Sequence, residues 1–369
     1  MKKRIKRSIT DLSSQELENE ITAFGQPAYR ARQITARVYR NLAWSWDELV
    51  EVPRTLRDYL SGRYPLHGIK PVTAQTAADG TVKTLFRLTD GRTIEAAMML
   101  YRRTSGTGKR GTVCVSTQVG CGIGCPFCST GQGGFERNLS SGEIVDHVLH
   151  FARLLRDDYG AAEKESDNIL TNIVFMGMGE PLANYEELMK AVRVLNNPEG
   201  MNIGARSMTI STAGVVPGIR KLAEEKLQLG LAVSLHAGTD AVRNRLVPLN
   251  RKYPVAEVID ACRHYFALTG RRVSYEYVLF KGINDSLSEA RHLGALLKGQ
   301  NCHVNLIPAN DTGRDGFQAP PHGEVLAFMT ELKKSHITVT IRRSRGQDID
   351  AGCGQLRSRM NKKPAEKRR

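Results

Sequence analysis

Two periodicities divide the chain. Over residues 8–68 apolar side chains return at helical spacing: Ala31, Ile34, Val38 and Leu42 mark one face of a helix between Tyr29 and Leu42. Ser13-Ser14-Gln15-Glu16 has the residues of a capping box and predicts a helix start. A third helix is predicted between Asp47 and Leu60, interrupted near Pro53. From about residue 70 the pattern turns to strands. Val82–Leu88, Thr93–Leu100 and Thr112–Ser116 read as strands, with Asp79-Gly80 and Asp90-Gly91 as turns ahead of the first two. Residues 101–111 read as a basic, glycine-containing loop.

Beyond this the two patterns alternate. A helix is predicted from Ser140 to Leu155, and strands at Asn172–Met176, Ser207–Ser211, Leu229–Leu235, Val273–Leu279, His303–Ile307 and Thr338–Arg342. Helices fall between them at Tyr185–Leu195, Pro217–Glu225, Val255–Ala267, Ser286–Leu297 and Gly323–Lys334. Repeated β/α units with short connections imply a parallel sheet. Six or so units predict an α/β fold: a partial (β/α)6 TIM-like barrel with a small helical N-terminal domain and a β extension. The expected boundaries are 1–70 for the helical domain, 71–111 for the β-rich connection, 112–345 for the barrel and 346–369 for a C-terminal loop and tail.

In such folds chemistry sits where strand C-termini meet loops. Polar residues and glycines occupy those ends here. They are Gly177-Met-Gly179-Glu180-Pro, Ser211-Thr-Ala-Gly, Ser234-Leu235-His236, Pro-Ala-Asn310 and, after the last strand, Ser344 to Cys353. Each alone reads as a turn or a capped strand. Their common position argues for one site.

One stretch has chemistry of its own. Cys121, Cys125 and Cys128 are spaced C-x3-C-x2-C among Gly122, Gly124 and Pro126, with no apolar period around them. Thiolates suit zinc and iron–sulfur clusters. A closed zinc site needs a fourth ligand, and the nearest histidines, His147 and His150, fall in the helix downstream. Three thiolates on a [4Fe–4S] cluster leave one iron open to a small molecule. With Phe127 before the last cysteine, the triplet resembles the signature of the radical S-adenosylmethionine (SAM) enzymes. In that superfamily the open iron chelates the amino and carboxylate groups of SAM.

Composition changes the picture in two respects. No run approaches the ~18 apolar residues of a membrane span, and the basic N-terminus is followed by no apolar segment, so neither a signal peptide nor a membrane partner is expected. Seven cysteines, three of them in the triplet, fit a reducing, cytoplasmic compartment. The net charge of +15 is concentrated at the ends: residues 1–7 hold five basic groups and no acid, and residues 357–369 are net +6. Two basic arms on a nearly balanced body suit a polyanion such as RNA. Arg30, Arg32, Arg37 and Arg40 could extend that face, although a solvated helix surface accounts for them as well.

The ordered motifs carry a closer resemblance. Thr-Gln-Val-Gly-Cys121, the triplet, Gly-Phe135-Glu-Arg-Asn-Leu139, Gly-Met-Gly-Glu-Pro-Leu, Ser211-Thr-Ala-Gly, Ser-Leu-His-Ala, Arg-Leu-Val-Pro-Leu-Asn250, Gly-Ile-Asn-Asp285, Leu-Ile-Pro-Ala-Asn310 and Arg345-Gly-x-Asp-Ile-x-Ala-Gly-Cys353-Gly-Gln-Leu356 resemble the RlmN/Cfr family. These are radical SAM methyltransferases of RNA adenosine. The likeness runs over about residues 90–356, behind a helical N-terminal region of similar character.

The resemblance implies one [4Fe–4S] cluster on Cys121, Cys125 and Cys128, and two SAM molecules per turnover. It assigns SAM contacts to Gly179, Glu180, Ser211, Ser234, Leu235, His236 and Asn310. Adenine C2 is neither nucleophilic nor acidic, so direct displacement from SAM fails. By resemblance, Cys353 receives a methyl group from one SAM, and a radical from the second abstracts hydrogen from that methyl. The carbon radical adds to the base, Glu95 removes the C2 proton, and Cys114 attacks the Cys353 sulfur to release methylated RNA as a disulfide forms. Gly352 stands where the family commonly has alanine. Cys262 and Cys302 read as packing residues. Implied partners are 23S rRNA, tRNA and an electron donor of the flavodoxin type, with the protein a monomer. C2 methylation is the favoured reading. C8 methylation, action on a small molecule or protein, and a non-catalytic iron–sulfur RNA-binding protein stay open.

Overall fold

The computed structural model describes residues 6–102, 109–159, 170–310, 316–342 and 345–349. Helix α1 (Ser14–Ala23) starts where the capping box places it: Ser13 Oγ accepts from the Glu16 N–H at 3.2 Å, and Glu16 Oε2 accepts from the Ser13 N–H at 2.8 Å. Helices α2 (Tyr29–Tyr39) and α3 (Arg54–Arg63) follow, with Pro53 just ahead of the third. They bury Leu17, Ile21, Leu56 and Leu60 together with Ala31, Ile34 and Val38, three of the residues that set the predicted helical period.

An antiparallel meander of β1 (Ile69–Thr76), β2 (Val82–Leu88), β3 (Thr93–Arg102) and β4 (Lys109–Cys114) leads into the barrel. The sequence reading began its strands at Val82 and did not resolve β1. That strand is an edge with mostly exposed side chains, Pro71 within it and a register break between Pro71 and Thr73. A small ribbon of β5 (Gln118–Gly120) and β6 (Phe135–Asn138) brackets the three cysteines and the short helix α4 (Ser129–Gln132). These pieces are too short to register as periodicity.

The barrel then runs α5 (Ser141–Tyr159), β7 (Leu170–Phe175), α6 (Tyr185–Asn196), β8 (Met208–Thr212), α7 (Val216–Glu224), β9 (Gly230–Ser234), α8 (Asp240–Leu246), α9 (Val255–Thr269), β10 (Val273–Leu279), α10 (Leu287–Leu297), β11 (Cys302–Pro308), α11 (His322–Lys333) and β12 (Thr338–Ile341). The sheet order is β1-β2-β3-β4-β7-β8-β9-β10-β11-β12, parallel from β4 onward. Six β/α units, capped by β12, form the expected partial barrel among the described residues.

One continuous apolar core joins Ile9 and the N-terminal helices to Val339 in β12. Helix α5 is the hinge plate between them. Its Asp146 holds His67 and Gly68, its Gly142 N–H donates to Asp11, and its Arg153 donates to Leu42 O. After β12 the chain is fastened to the meander: Arg345 donates to Leu100 O at 2.9 Å and lies over the Tyr101 ring, the Gly346 N–H donates to Asp79, and Asp348 accepts from the Ala78 N–H.

Candidate active site

A cavity of about 360 Å³ opens at the C-terminal ends of the parallel strands, within the roughly 300–1,000 Å³ of small-ligand sites. Cys114 enters it from the end of β4, and Cys121, Cys125 and Cys128 from the loop that follows. Gly179 and Glu180 come from the end of β7, Ser211 from β8, Ser234 and His236 from the end of β9, and Asn310 from beyond β11. Segments scattered across the sequence therefore meet in one place.

Local geometry explains the residue types. Gly120 sits at φ 75°, and a Cβ there would lie 1.9 Å from Gly134 O. Only glycine lets the ribbon close so that the Cys121 N–H donates to Gly134 O at 2.9 Å. Gly179, at φ 105°, would drive a Cβ to 2.5 Å from the Gln118 side chain. Burial pushes the Cys121 thiol up to about 11, and it pushes Cys125 higher still, with Cys128 and Cys121 adding repulsion. Thiols that raise one another in this way fit a cationic metal centre that relieves the repulsion. Among the described residues no three His, Cys, Asp or Glu side chains close on a single-ion position. Cysteines that each take a different iron of a cluster need not do so. His147 and His150 do not line the cavity; both pack against Phe86 in the core.

Glu180 braces two strand ends. Its Oε1 accepts from the Leu182 N–H at 3.0 Å and its Oε2 from the Ala213 N–H at 2.7 Å, while burial lifts its carboxyl to about 7. His236 holds a left-handed backbone, φ 61°, secured by Asn284 Nδ2 donating to its carbonyl at 2.8 Å. Its Nδ1 accepts from the Val278 N–H at 3.0 Å, so the proton resides on Nε2. Burial, helped by the Arg243 charge, drops its pKa to about 3 and keeps the ring neutral. Phe127 meets that ring edge-on, with centroids 5.2 Å apart.

Two further expected site residues, Leu235 and Glu95, are not part of the cavity lining. Leu235 is fully buried in the core, with its N–H donating to Glu276 O and its carbonyl accepting from Arg243. Glu95 is buried on β3, on the face that Ala97 and Met99 present to the cavity, with Lys83 Nζ at 3.4 Å. Its carbonyl accepts from Ser116 Oγ at 2.5 Å, which places it just past the end of β4. Cys353 lies outside the described residues. Sequence reasoning passed over Glu276 and Arg342, which also line the cavity together with Arg345 of the C-terminal motif. A lone charge among the apolar residues of Val273–Leu279 was the available signal for Glu276.

A radical SAM superfamily model matches residues 115–293. The chain is 46% identical over 350 residues to "Probable dual-specificity RNA methyltransferase RlmN" of Desulfitobacterium hafniense strain DCB-2, covering 95% of this chain and 96% of that protein. It is 43% identical over 355 residues to the protein of the same name from Geobacillus kaustophilus, covering 96% and 93%. A crystal structure of a radical SAM methyltransferase from Sphaerobacter thermophilus superposes with a TM-score of 0.89 at 50% identity, covering 95% of this chain and 99% of that one. A [4Fe–4S] cluster and SAM are the cofactors of the superfamily, and the three-thiol, polar-rimmed cavity suits both. On sequence and fold alike, the chain belongs to the RlmN family of the radical SAM superfamily.

Proposed function

We propose that this chain methylates C2 of an adenosine in 23S rRNA and in tRNA, as a radical SAM RNA methyltransferase. The observation that carries this reading is the meeting of Cys114, the three-cysteine loop and the polar strand ends in one cavity. It is supported by relatives named as dual-specificity RNA methyltransferases. Cys121, Cys125 and Cys128 would hold the cluster. When bound, cluster and SAM supply a 5′-deoxyadenosyl radical, and a further SAM supplies the methyl group.

The protein's own residues then divide the work. The Glu180 carboxylate, fixed by two backbone N–H groups, faces a ligand ammonium as an anchored anion. The Ser211 and Ser234 hydroxyls, Asn310 and the neutral His236 donor complete the polar rim, with Gly179 giving backbone access. Leu235 contributes through the strand end that it fixes. Phe127, Phe280 and Phe317 pack together on one wall and keep water away from the radical step. Cys353 carries the methyl group as a thioether to the base. Glu95 takes the C2 proton, with Lys83 beside it to balance its charge. Once the adduct has given up its unpaired electron to a one-electron acceptor, the Cys114 thiolate attacks the Cys353 sulfur, the sulfur–methylene bond breaks as the disulfide forms, the released carbon takes a proton, methylated RNA leaves, and a two-electron reductant reopens the pair.

The target base must leave its stack, at a cost of a few kcal/mol. The N-terminal helices, residues 1–70, and the basic termini would grip the surrounding phosphates, while residues 71–111 join them to the barrel of 112–345 and residues 346–369 carry the thiol. A cytoplasmic monomer served by a flavodoxin-type donor completes the reading. Among the described residues no helix is long and apolar enough to cross a membrane.

The test is anaerobic reconstitution with SAM, a reductant and unmodified large-subunit rRNA or tRNA, followed by nucleoside mass spectrometry. 2-Methyladenosine is expected from both RNAs. 8-Methyladenosine would overturn the regiochemistry. Production of 5′-deoxyadenosine with no methylated adenosine would overturn the RNA assignment.

A further inference from the structure

Arg243 heads the fully buried side chains in size among the described residues. Its guanidinium donates to Leu235 O at 3.0 Å, Asn250 Oδ1 at 2.9 Å, Ala213 O at 2.6 Å and Ser234 O at 3.3 Å. Every acceptor is neutral. Ala213 and Ser234 line the cavity, so the cation sits directly behind two strand ends of the site. Among the described residues no carboxylate pairs with it. Asp240 makes no hydrogen bond to it and is linked through Asn250, whose Nδ2 donates to Asp240 Oδ1 at 2.8 Å.

A buried cation with no anion is unstable unless something supplies the charge. Burial opposes that charge. Packing shows which side can answer it. Leu246 and Val247, just after Arg243, share a small apolar cluster with Ile123, Cys125 and Phe127 of the cysteine loop. The missing counter-charge therefore lies on the side of the three thiols.

We propose that Arg243 is a positioning residue whose fixed cation is the built-in counter-charge of the cluster held by Cys121, Cys125 and Cys128, and favours its reduced state. This rests on the cluster assignment made above. A [4Fe–4S] core of charge two plus with three thiolates is net one minus. One electron from a low-potential, flavodoxin-type donor makes it two minus, with no bond or proton moved. A nearby cation stabilises the more negative member of that couple. The same guanidinium keeps the Ala213, Ser234 and Leu235 carbonyls in place, so charge and strand-end geometry are set by one side chain.

The full-length protein, reconstituted without SAM, is titrated with dithionite while the reduced cluster is followed by electron paramagnetic resonance. Arg243→Gln is expected to disfavour the reduced state at least tenfold, a downward shift of about 59 mV for a one-electron couple. Arg243→Lys is expected to stay near wild type. Asp240→Asn removes an exposed carboxylate, and is expected to move the potential the other way. An unchanged potential in Arg243→Gln, with full iron and sulfide content, would overturn the proposal and leave Arg243 a strut that moves only the melting temperature. If Arg243→Gln does not fold, Asp240→Asn decides: no upward shift overturns it. A wild-type chain that takes up no iron or sulfide would overturn the cluster assignment first, and this proposal with it.

Discussion

The junction between the N-terminal helices and α5 buries polar groups, as the cavity does, yet the two behave as opposites. At the junction His67 Nδ1 lies 2.7 Å from Asp146 Oδ1, the other carboxylate oxygen accepts from the Gly68 N–H at 2.6 Å, and His67 Nε2 meets Ala43 O at 2.9 Å. The ring stacks on Trp44. Burial alone would depress the His67 pKa, but Asp146 outweighs it and raises it. His147 and His150 stay neutral, held by burial at about 3 and about 4. At the cavity the thiols are pushed up, a carboxyl is lifted and an arginine lacks an anion. The junction's central charges answer each other within the protein and serve the fold. At the cavity Arg342 and Glu276 face each other at 3.9 Å, but among the described residues Glu180 and Arg243 have no ion-pair partner, and a bound group can supply one.

The largest break in that contrast is Cys125→Ala. Iron uptake and methyl transfer should be abolished, while the cluster-free protein unfolds at nearly the wild-type midpoint; a metal assay beside a melting curve checks both. Asp146→Ala should do the reverse. Stranding His67 is expected to lower stability by about 3–5 kcal/mol, read by urea titration, with iron uptake of the folded fraction intact.

Glu180 gives an intermediate effect with a definite sign. Its folded pKa of about 7 lies above the ordinary value of 4.5, chiefly through burial. The cluster-free fold therefore holds this proton longer than the unfolded chain does. That stabilisation is complete below 4.5 and is lost as pH rises through about 7, by up to about 3 kcal/mol. Glu180→Gln should flatten this slope in stability curves taken from pH 4 to pH 8. The smallest effect lies outside both regions: Ser13→Ala removes a cap and should cost about 1 kcal/mol, a downward shift in melting temperature with activity unchanged. Truncating residues 357–369 should weaken RNA binding and flatten its salt dependence; an unchanged salt slope would remove the tail from the RNA interface.

Much of the barrel was legible because its strands and helices keep one period for their whole length. Val82–Leu88 and Val273–Leu279 agree with the reading to the residue. The cavity was legible because its polar residues cluster at strand ends. Single-residue detail was harder. Ser234 and His236 line the cavity while Leu235 turns into the core, which is strand alternation carried past the end of β9. The sequence motif groups all three. Arg243 was invisible for another reason: an arginine in a short amphipathic segment reads as surface, and only the converging carbonyls reveal it as buried. Helix α8 and the β5–β6 ribbon escaped because their pieces are too short for a repeated pattern to stand out.

The open sheet has a consequence for how the molecule keeps company with its own copies. Among the described residues strand β1 has no neighbour on its outer side, and Val72 is 43% exposed along it. A free edge of this kind invites another chain to continue the ladder. Here Pro71 offers no N–H, the register breaks before Thr73, and Lys70 brings a charge to the same rim. The sheet thus ends, on the side of its antiparallel extension, in a margin that is a poor template for fibre growth.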